Sequence, residues 1–108
     1  MRTRLLDDSD FKATFSSRML DVTKTATDVF DIWPYVDSIP PEELEGHAPF
    51  ERFVEIVYRG DDGRFDHVLA MTKTMNVYIV VVIDLKADRI LGHRLLDLNR
   101  EYGLKQST

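Results

Sequence analysis

The chain is 108 residues long, 44% hydrophobic and 31% charged, with a formal net charge of −5 and no cysteine. This is ordinary globular composition for a single domain. Lack of cysteine excludes disulfides, a cysteine nucleophile and thiolate-based zinc or iron–sulfur sites, and the acidity argues against a nucleic-acid binder that works by neutralising phosphates. The N-terminal MRTRLLDDSD lacks the apolar stretch of a secretory signal. The longest apolar run, Val77 to Ile83, is seven residues, where a bilayer span needs about 20. The expectation is a cytoplasmic protein with no membrane association. Residues 1–108 are read as one α+β domain, with 1–10 and 104–108 as flexible ends.

In chain order, Phe11, Ala13 and Phe15 alternate with Lys12, Thr14 and Ser16. That period of two predicts a strand within residues 11–20, with a helix from Asp10 as the alternative. From Thr23 to Ile39 the pattern is helical: Val29, Ile32, Trp33, Val36 and Ile39 fall on one stripe. Pro34 breaks this segment and opens a short helix over 34–39. Pro40-Pro41 ends that helix, and Pro41 starts a single turn through Leu44. Gly46-His47-Ala48-Pro49 reads as a loop.

After Pro49 the period becomes two, and four strands are expected at 50–59, 64–73, 76–84 and 89–95. Gly60-Asp61-Asp62-Gly63 supplies hairpin chemistry. Thr74-Met75-Asn76 is a weaker turn, in which Asn76 is the residue that tolerates positive φ. Lys86-Ala87-Asp88 makes a third tight link. Such short links require antiparallel neighbours. The fold class is therefore α+β: an antiparallel four- to five-stranded β-meander, an N-terminal helical segment packed on one face, and a short C-terminal helix from Leu95 to Tyr102 closed by Gly103.

The strand 76–84 is apolar on both sides. Val77, Ile79, Val81 and Ile83 point one way, and Tyr78, Val80 and Val82 the other. Such a strand is central and covered on each face. The helical segment covers one face; the C-terminal helix, a partner chain or a ligand is expected on the other. Gly92 interrupts the last strand, which signals a bulge or the close approach of another element.

No metal-ligand spacing, nucleophile elbow, phosphate-binding glycine loop or calcium-loop pattern occurs, so no metal or cofactor is expected. Pairing the hairpins from their turns sets His67 and His93 on either side of Val82, about 10 Å apart at ~4.8 Å per strand. Tyr78 and Asp84 join them on that face. His67 or His93 could then serve as a general base in a shallow polar pocket, but a slip of one residue destroys the arrangement. The competing reading is two partly buried histidines whose nitrogens bond backbone or tyrosine.

Charge is uneven along the chain. Residues 1–55 carry 12 acidic and 6 basic side chains, and residues 56–108 carry 7 and 8. Between Lys24 and Arg52 there are seven acids and no lysine or arginine. That stretch also holds the single tryptophan, Trp33, with Phe30 and Tyr35 nearby. Acidic charge with an aromatic anchor suits a binder of a basic protein surface. The expected contact residues are Asp28, Asp31, Trp33, Tyr35, Asp37, Glu42, Glu43 and Glu45. The favoured function is a small non-catalytic interaction domain, of the inhibitor or immunity kind, with a basic protein partner; a small enzyme or ligand-binding domain using the His67/His93 face is the alternative. An open sheet edge also allows a homodimer.

Overall fold

The structure, a computed structural model, describes residues 2–14, 19–21, 32–44, 50–60 and 63–98, with 19–21, 44 and 50–56 described by backbone alone. Helix α1 spans Asp8–Thr14, strand β1 Met19–Asp21 and helix α2 Trp33–Val36, followed by a 3-10 turn at Pro41–Leu44. Strands β2 (Phe50–Gly60), β3 (Phe65–Thr72), β4 (Val77–Asp84) and β5 (Arg89–Asp97) complete the order. They form one antiparallel sheet in the order β1-β2-β3-β4-β5. The expected meander is therefore present, extended by the short β1.

Turn chemistry holds the hairpins where the sequence placed them. Gly63 and Asn76 both take positive φ, 70° and 65°. The Thr72 hydroxyl donates to the Val77 carbonyl at 2.7 Å and accepts from the Thr74 N–H at 3.1 Å, pinning the β3–β4 turn. At the β4–β5 turn, Asp88 adopts φ 57° and the Asp84 carboxylate accepts the Ala87 N–H at 3.0 Å. Asp tolerates this left-handed backbone better than most residues because its short polar side chain bonds locally.

Two expectations for the ends of the fold are corrected. The first segment is helical at Asp8–Thr14 rather than a strand. Asp7 caps the helix: its carboxylate accepts the Asp10 N–H at 2.7 Å, while Asp10 reaches back to the Asp7 N–H at 3.4 Å. This is a capping box built from two aspartates. Phe11 and Thr14 are buried, three residues apart, whereas Lys12 and Ala13 are exposed, so the apparent period of two was a helical stripe. At the other end, Leu95 to Asp97 continue β5 against Ile79, Tyr78 and Val77, and helical backbone begins only at Leu98. The remainder of the expected C-terminal helix, 99–102, lies outside the described residues.

Strand β4 is buried on both sides, as its composition required, and two separate cores meet at it. On the first face Ile32, Tyr35, Val36 and Ile39 pack on Val57, Val68, Ile79, Val81 and Ile83. Ile32, Val36 and Ile39 belong to the predicted stripe, Trp33 packs at its margin and Tyr35 joins it, while Val29 and the expected helical stretch before Ile32 lie outside the described residues. The helix expected over 34–39 is the single turn Trp33–Val36, with Pro34 in it. On the second face Leu6 and Phe11 pack on Leu69, Val80 and Val82. The second face is therefore covered by the N-terminal segment and α1, where the sequence predicts the C-terminal helix, a partner chain or a ligand. Arg94 reinforces α1 through an ion pair with Asp8 and lies 5.1 Å over the Phe11 ring.

The stretch expected to be a flexible N-terminus runs parallel to the outer edge of β5. Leu5 bridges His93, with the Leu6 N–H donating to the His93 carbonyl at 2.8 Å and the His93 N–H donating to the Arg4 carbonyl at 2.9 Å. Gly92 makes this possible. A Cβ there would meet Leu6 Cδ2 at 2.6 Å and the Arg4 carbonyl oxygen at 2.7 Å. Beside it, Val82 pairs with Gly92 and Ile83 with Ile90, so Leu91 is an extra residue, a β-bulge. Substituting Gly92→Ala should therefore lower stability by about 1–3 kcal/mol, the usual cost of overpacking. Urea unfolding measures it: the midpoint should fall while the slope stays constant, and Gly92→Ala with the wild-type midpoint would show that the segment is not packed there.

Candidate functional site

The two histidines lie on opposite faces of the sheet. His67 pairs with Val82, as expected, but His93 pairs with Val81. Paired residues in an antiparallel sheet share a face, so His67 belongs to the second face and His93 to the first. The β4–β5 turn leaves Asp84 opposite Arg89. Continued without interruption, that register would bring His93 opposite Val80, on the same face as His67. The bulge at Leu91 adds one residue and turns His93 through the sheet. The shared pocket of His67, His93, Tyr78 and Asp84 is thus corrected.

The other three members remain on the second face but do different things. Tyr78 pairs with Met71, four residues along the strand from the His67 row, about 13 Å at ~3.3 Å per residue. Asp84 is buried and committed to the hairpin: it accepts the Ala87 N–H and lies 3.5 Å from Arg64. The Ala87 N–H above all, and then Arg64, hold its carboxyl below the usual range despite burial. His67 Nε2 is 2.8 Å from the Thr14 hydroxyl, and its ring meets Phe11 edge-on at 5.9 Å between centroids. The Thr14 hydroxyl also donates to the Phe11 carbonyl at 2.8 Å. With its one proton used there, Thr14 accepts from His67 Nε2–H. His67 is therefore a seat for α1.

A different constellation forms on the first face. His93 is 1% exposed, and both ring nitrogens are engaged. Nδ1 is 2.8 Å from the Tyr35 hydroxyl and Nε2 is 2.6 Å from Glu43 Oε1. The Tyr35 hydroxyl also accepts the Arg4 N–H at 2.9 Å and lies 3.2 Å from the Arg4 carbonyl oxygen. One imidazole on β5 thereby joins α2, the 3-10 turn and the N-terminal segment. Burial lowers the His93 pKa, with the Glu43 carboxylate opposing. Burial likewise pushes the Tyr35 phenol up; the Arg4 N–H acts against it and Glu43 adds to it.

Two residues assigned to the contact surface are therefore turned inward. Tyr35 is buried and bonded to His93, and Glu43 directs its carboxylate to the same ring. Asp37 and Glu42 are exposed, and Trp33 is half-buried against the first core. Asp28, Asp31 and Glu45 lie outside the described residues, as do Phe30 and His47. By sequence, Tyr35 and Glu43 belong to the acidic contact stretch and His93 to the sheet, two different sites. No local pattern joins them, because their meeting depends on the bulge and on how α2 lies over the sheet.

Among the described residues no group of three His, Cys, Asp or Glu side chains is arranged to hold a metal ion. No helix among them is long and apolar enough to cross a membrane. No family model, curated protein or solved structure matches the chain.

Acid should weaken the fold through His67. Burial lowers its pKa from 6.5 to about 4, only partly opposed by Asp66. The unfolded chain takes up this proton below pH 6.5 and the folded chain does not, so stability is complete above 6.5 and is lost as pH falls toward about 4. The loss from this group is up to about 3 kcal/mol. Urea titrations at pH 7 and pH 4.5 should show a smaller difference for His67→Gln than for the wild type; equal differences would show that His67 is not held neutral.

Proposed function

We propose that this chain is a non-catalytic protein-interaction domain whose contact surface is the outer side of the Trp33–Glu43 segment and whose partner is a basic protein. The observation that carries this reading is the division of labour within the segment. Ile32, Tyr35, Val36 and Ile39 anchor it to the sheet, while Asp37 and Glu42 face solvent. Glu43, clamped to His93, and Ser38, whose hydroxyl donates to the Pro34 carbonyl at 2.7 Å, hold the backbone between them.

A surface fixed in this way loses little entropy when it binds. Exposed acids of one sign speed encounter with a cationic surface and make the affinity salt-dependent. The half-buried Trp33 offers aromatic area at the margin of the same patch. The further acids Asp28, Asp31 and Glu45 extend the charge in sequence. An inhibitor or immunity-type role, in which an acidic domain covers the site of a basic nuclease or other toxin, is the specific form this chemistry fits. The two buried histidines support the non-catalytic side of the reading: each is engaged by side chains of its own chain.

The reading is tested by introducing a photo-crosslinking residue at position 42, with position 86 on the β4–β5 turn as control. The protein captured at 42 alone is then purified, and its affinity measured against the wild type and the Asp37→Lys/Glu42→Lys variant. The charge reversal should weaken binding at least tenfold, about 1.4 kcal/mol, and the wild-type affinity should fall steeply with salt. Equal capture at both positions, or an affinity unchanged by charge reversal, overturns the proposal.

A further inference from the structure

We infer that His93 is an internal proton acceptor, built so that it can be protonated in place without breaking a hydrogen bond, through reversal of the Tyr35 hydroxyl. The argument starts from Glu43. A carboxylate only accepts, so the 2.6 Å contact requires the proton on His93 Nε2. In the neutral ring Nδ1 is then a lone-pair acceptor, and the Tyr35 hydroxyl donates to it across 2.8 Å. The Tyr35 oxygen accepts the Arg4 N–H at 2.9 Å. Every polar atom in this chain of contacts is used in one direction, from the Arg4 amide to the Glu43 carboxylate.

The Arg4 carbonyl gives the chain a second state. It lies 3.2 Å from the Tyr35 hydroxyl, and in the neutral state it already accepts the His93 backbone N–H at 2.9 Å. It has a lone pair left over. When a proton binds Nδ1, that N–H donates to the Tyr35 oxygen, and the Tyr35 hydroxyl rotates to donate to the Arg4 carbonyl. Tyr35 then accepts twice, from Arg4 N–H and His93 Nδ1–H, which its two lone pairs allow. The Nε2–H contact to Glu43 becomes a charge-assisted bond. No donor or acceptor is stranded in either state, and no heavy atom has to move.

The electrostatic setting can be stated for each element around the ring. The 3-10 turn contributes Glu43, with Glu42 beside it facing solvent; α2 contributes Tyr35, with the exposed Asp37 at its end. The N-terminal segment contributes the Arg4 backbone and the Arg4 guanidinium, which is paired with Asp10 at 3.4 Å and whose charge is felt at Tyr35. Beneath the ring, the row across the sheet is Val81, Val68 and Val57. On β5 itself the next residue, Arg94, is paired with Asp8. Among the described residues the charge facing the imidazole is thus negative and burial is its main opponent. On the other face the Thr14 hydroxyl and the Phe11 ring face His67, and the Asp66 charge acts on it against burial.

Imidazole nitrogen NMR on the full chain tests this. The wild type should show His93 with its proton on Nε2 at neutral pH. On acidification it should pass reversibly to imidazolium while the β5 backbone amides keep their native positions. Tyr35→Phe removes the reversible group, and Glu43→Gln removes the charge but keeps an acceptor; each should move the His93 midpoint down by about one pH unit or more. His67 serves as the internal control and should not move in either variant. A neutral His93 with its proton on Nδ1, a Tyr35→Phe midpoint equal to the wild type, or an imidazolium that appears only with loss of native amide signals overturns the inference. These readouts involve no binding partner, so they stand or fall independently of the proposed contact surface.

Discussion

Leu91 is one residue more than β4 can match, and the strand absorbs it at Gly92 because the N-terminal segment leaves no room there for a side chain. Much else in the fold depends on this close approach. The bulge rotates the rest of β5 by one position, so that His93 and Leu95 join the first face while Arg94 and Leu96 join the second. Leu6 fills the space over Gly92 and sets the start of α1 above Val80 and Val82. The His93 backbone, turned outward at the same point, supplies the bonds that hold residues 4–6. A glycine in mid-strand is normally a weakness; here it lets a second chain segment complete the edge.

The two faces solve the same problem differently. A short helix must bury an apolar stripe and also find partners for the polar groups it brings inside. Under α1 the solution is local: Thr14 and His67 bond each other, and Phe11 lies edge-on to the ring. Under α2 it is a network, in which Tyr35, His93 and Glu43 connect three elements and the backbone of a fourth. Both histidines favour the neutral form because both are buried, and a carboxylate opposes burial at each: Asp66 at His67, and Glu43, bonded to the ring, at His93. At the far end of the first face Asp66, fully buried, is paired at 2.7 and 2.9 Å by a two-pronged bond from Arg59. Such pairs hold position more than they add stability.

This arrangement leaves the acidic segment with distinct inner and outer sides. Alternation of anchoring and exposed residues over so short a stretch arises because α2 is a single turn and Pro40-Pro41 starts the next. Each proline limits the backbone, so few conformations have to be excluded by packing. The Glu43 carboxylate is a quarter exposed, at the boundary between network and surface. Chemistry at His93 and charge on the outer side are therefore neighbours, with the backbone of the 3-10 turn between them.

The sequence by itself determined the meander, its turns and the central place of β4. Those features follow from local causes: alternation of apolar residues, glycine and asparagine at positive φ, and the exclusion of polar residues from Val77–Ile83. It also determined the apolar stripe of α2 and the turn after Pro41. It did not determine α1, where Phe11 and Ala13 imitate a strand and the deciding signal was the pair Asp7 and Asp10, nor the cover on the second face. Tertiary structure alone decided the faces of the histidines. A strand's side chains alternate, so one inserted residue moves every later side chain to the opposite side. The insertion at Leu91 is fixed by contact with residues more than 80 positions earlier in the chain. Gly92 was readable as an irregularity; what lay against it, and hence that His93 would meet Tyr35 and Glu43, was set by a long-range contact to which no short window of sequence gives access.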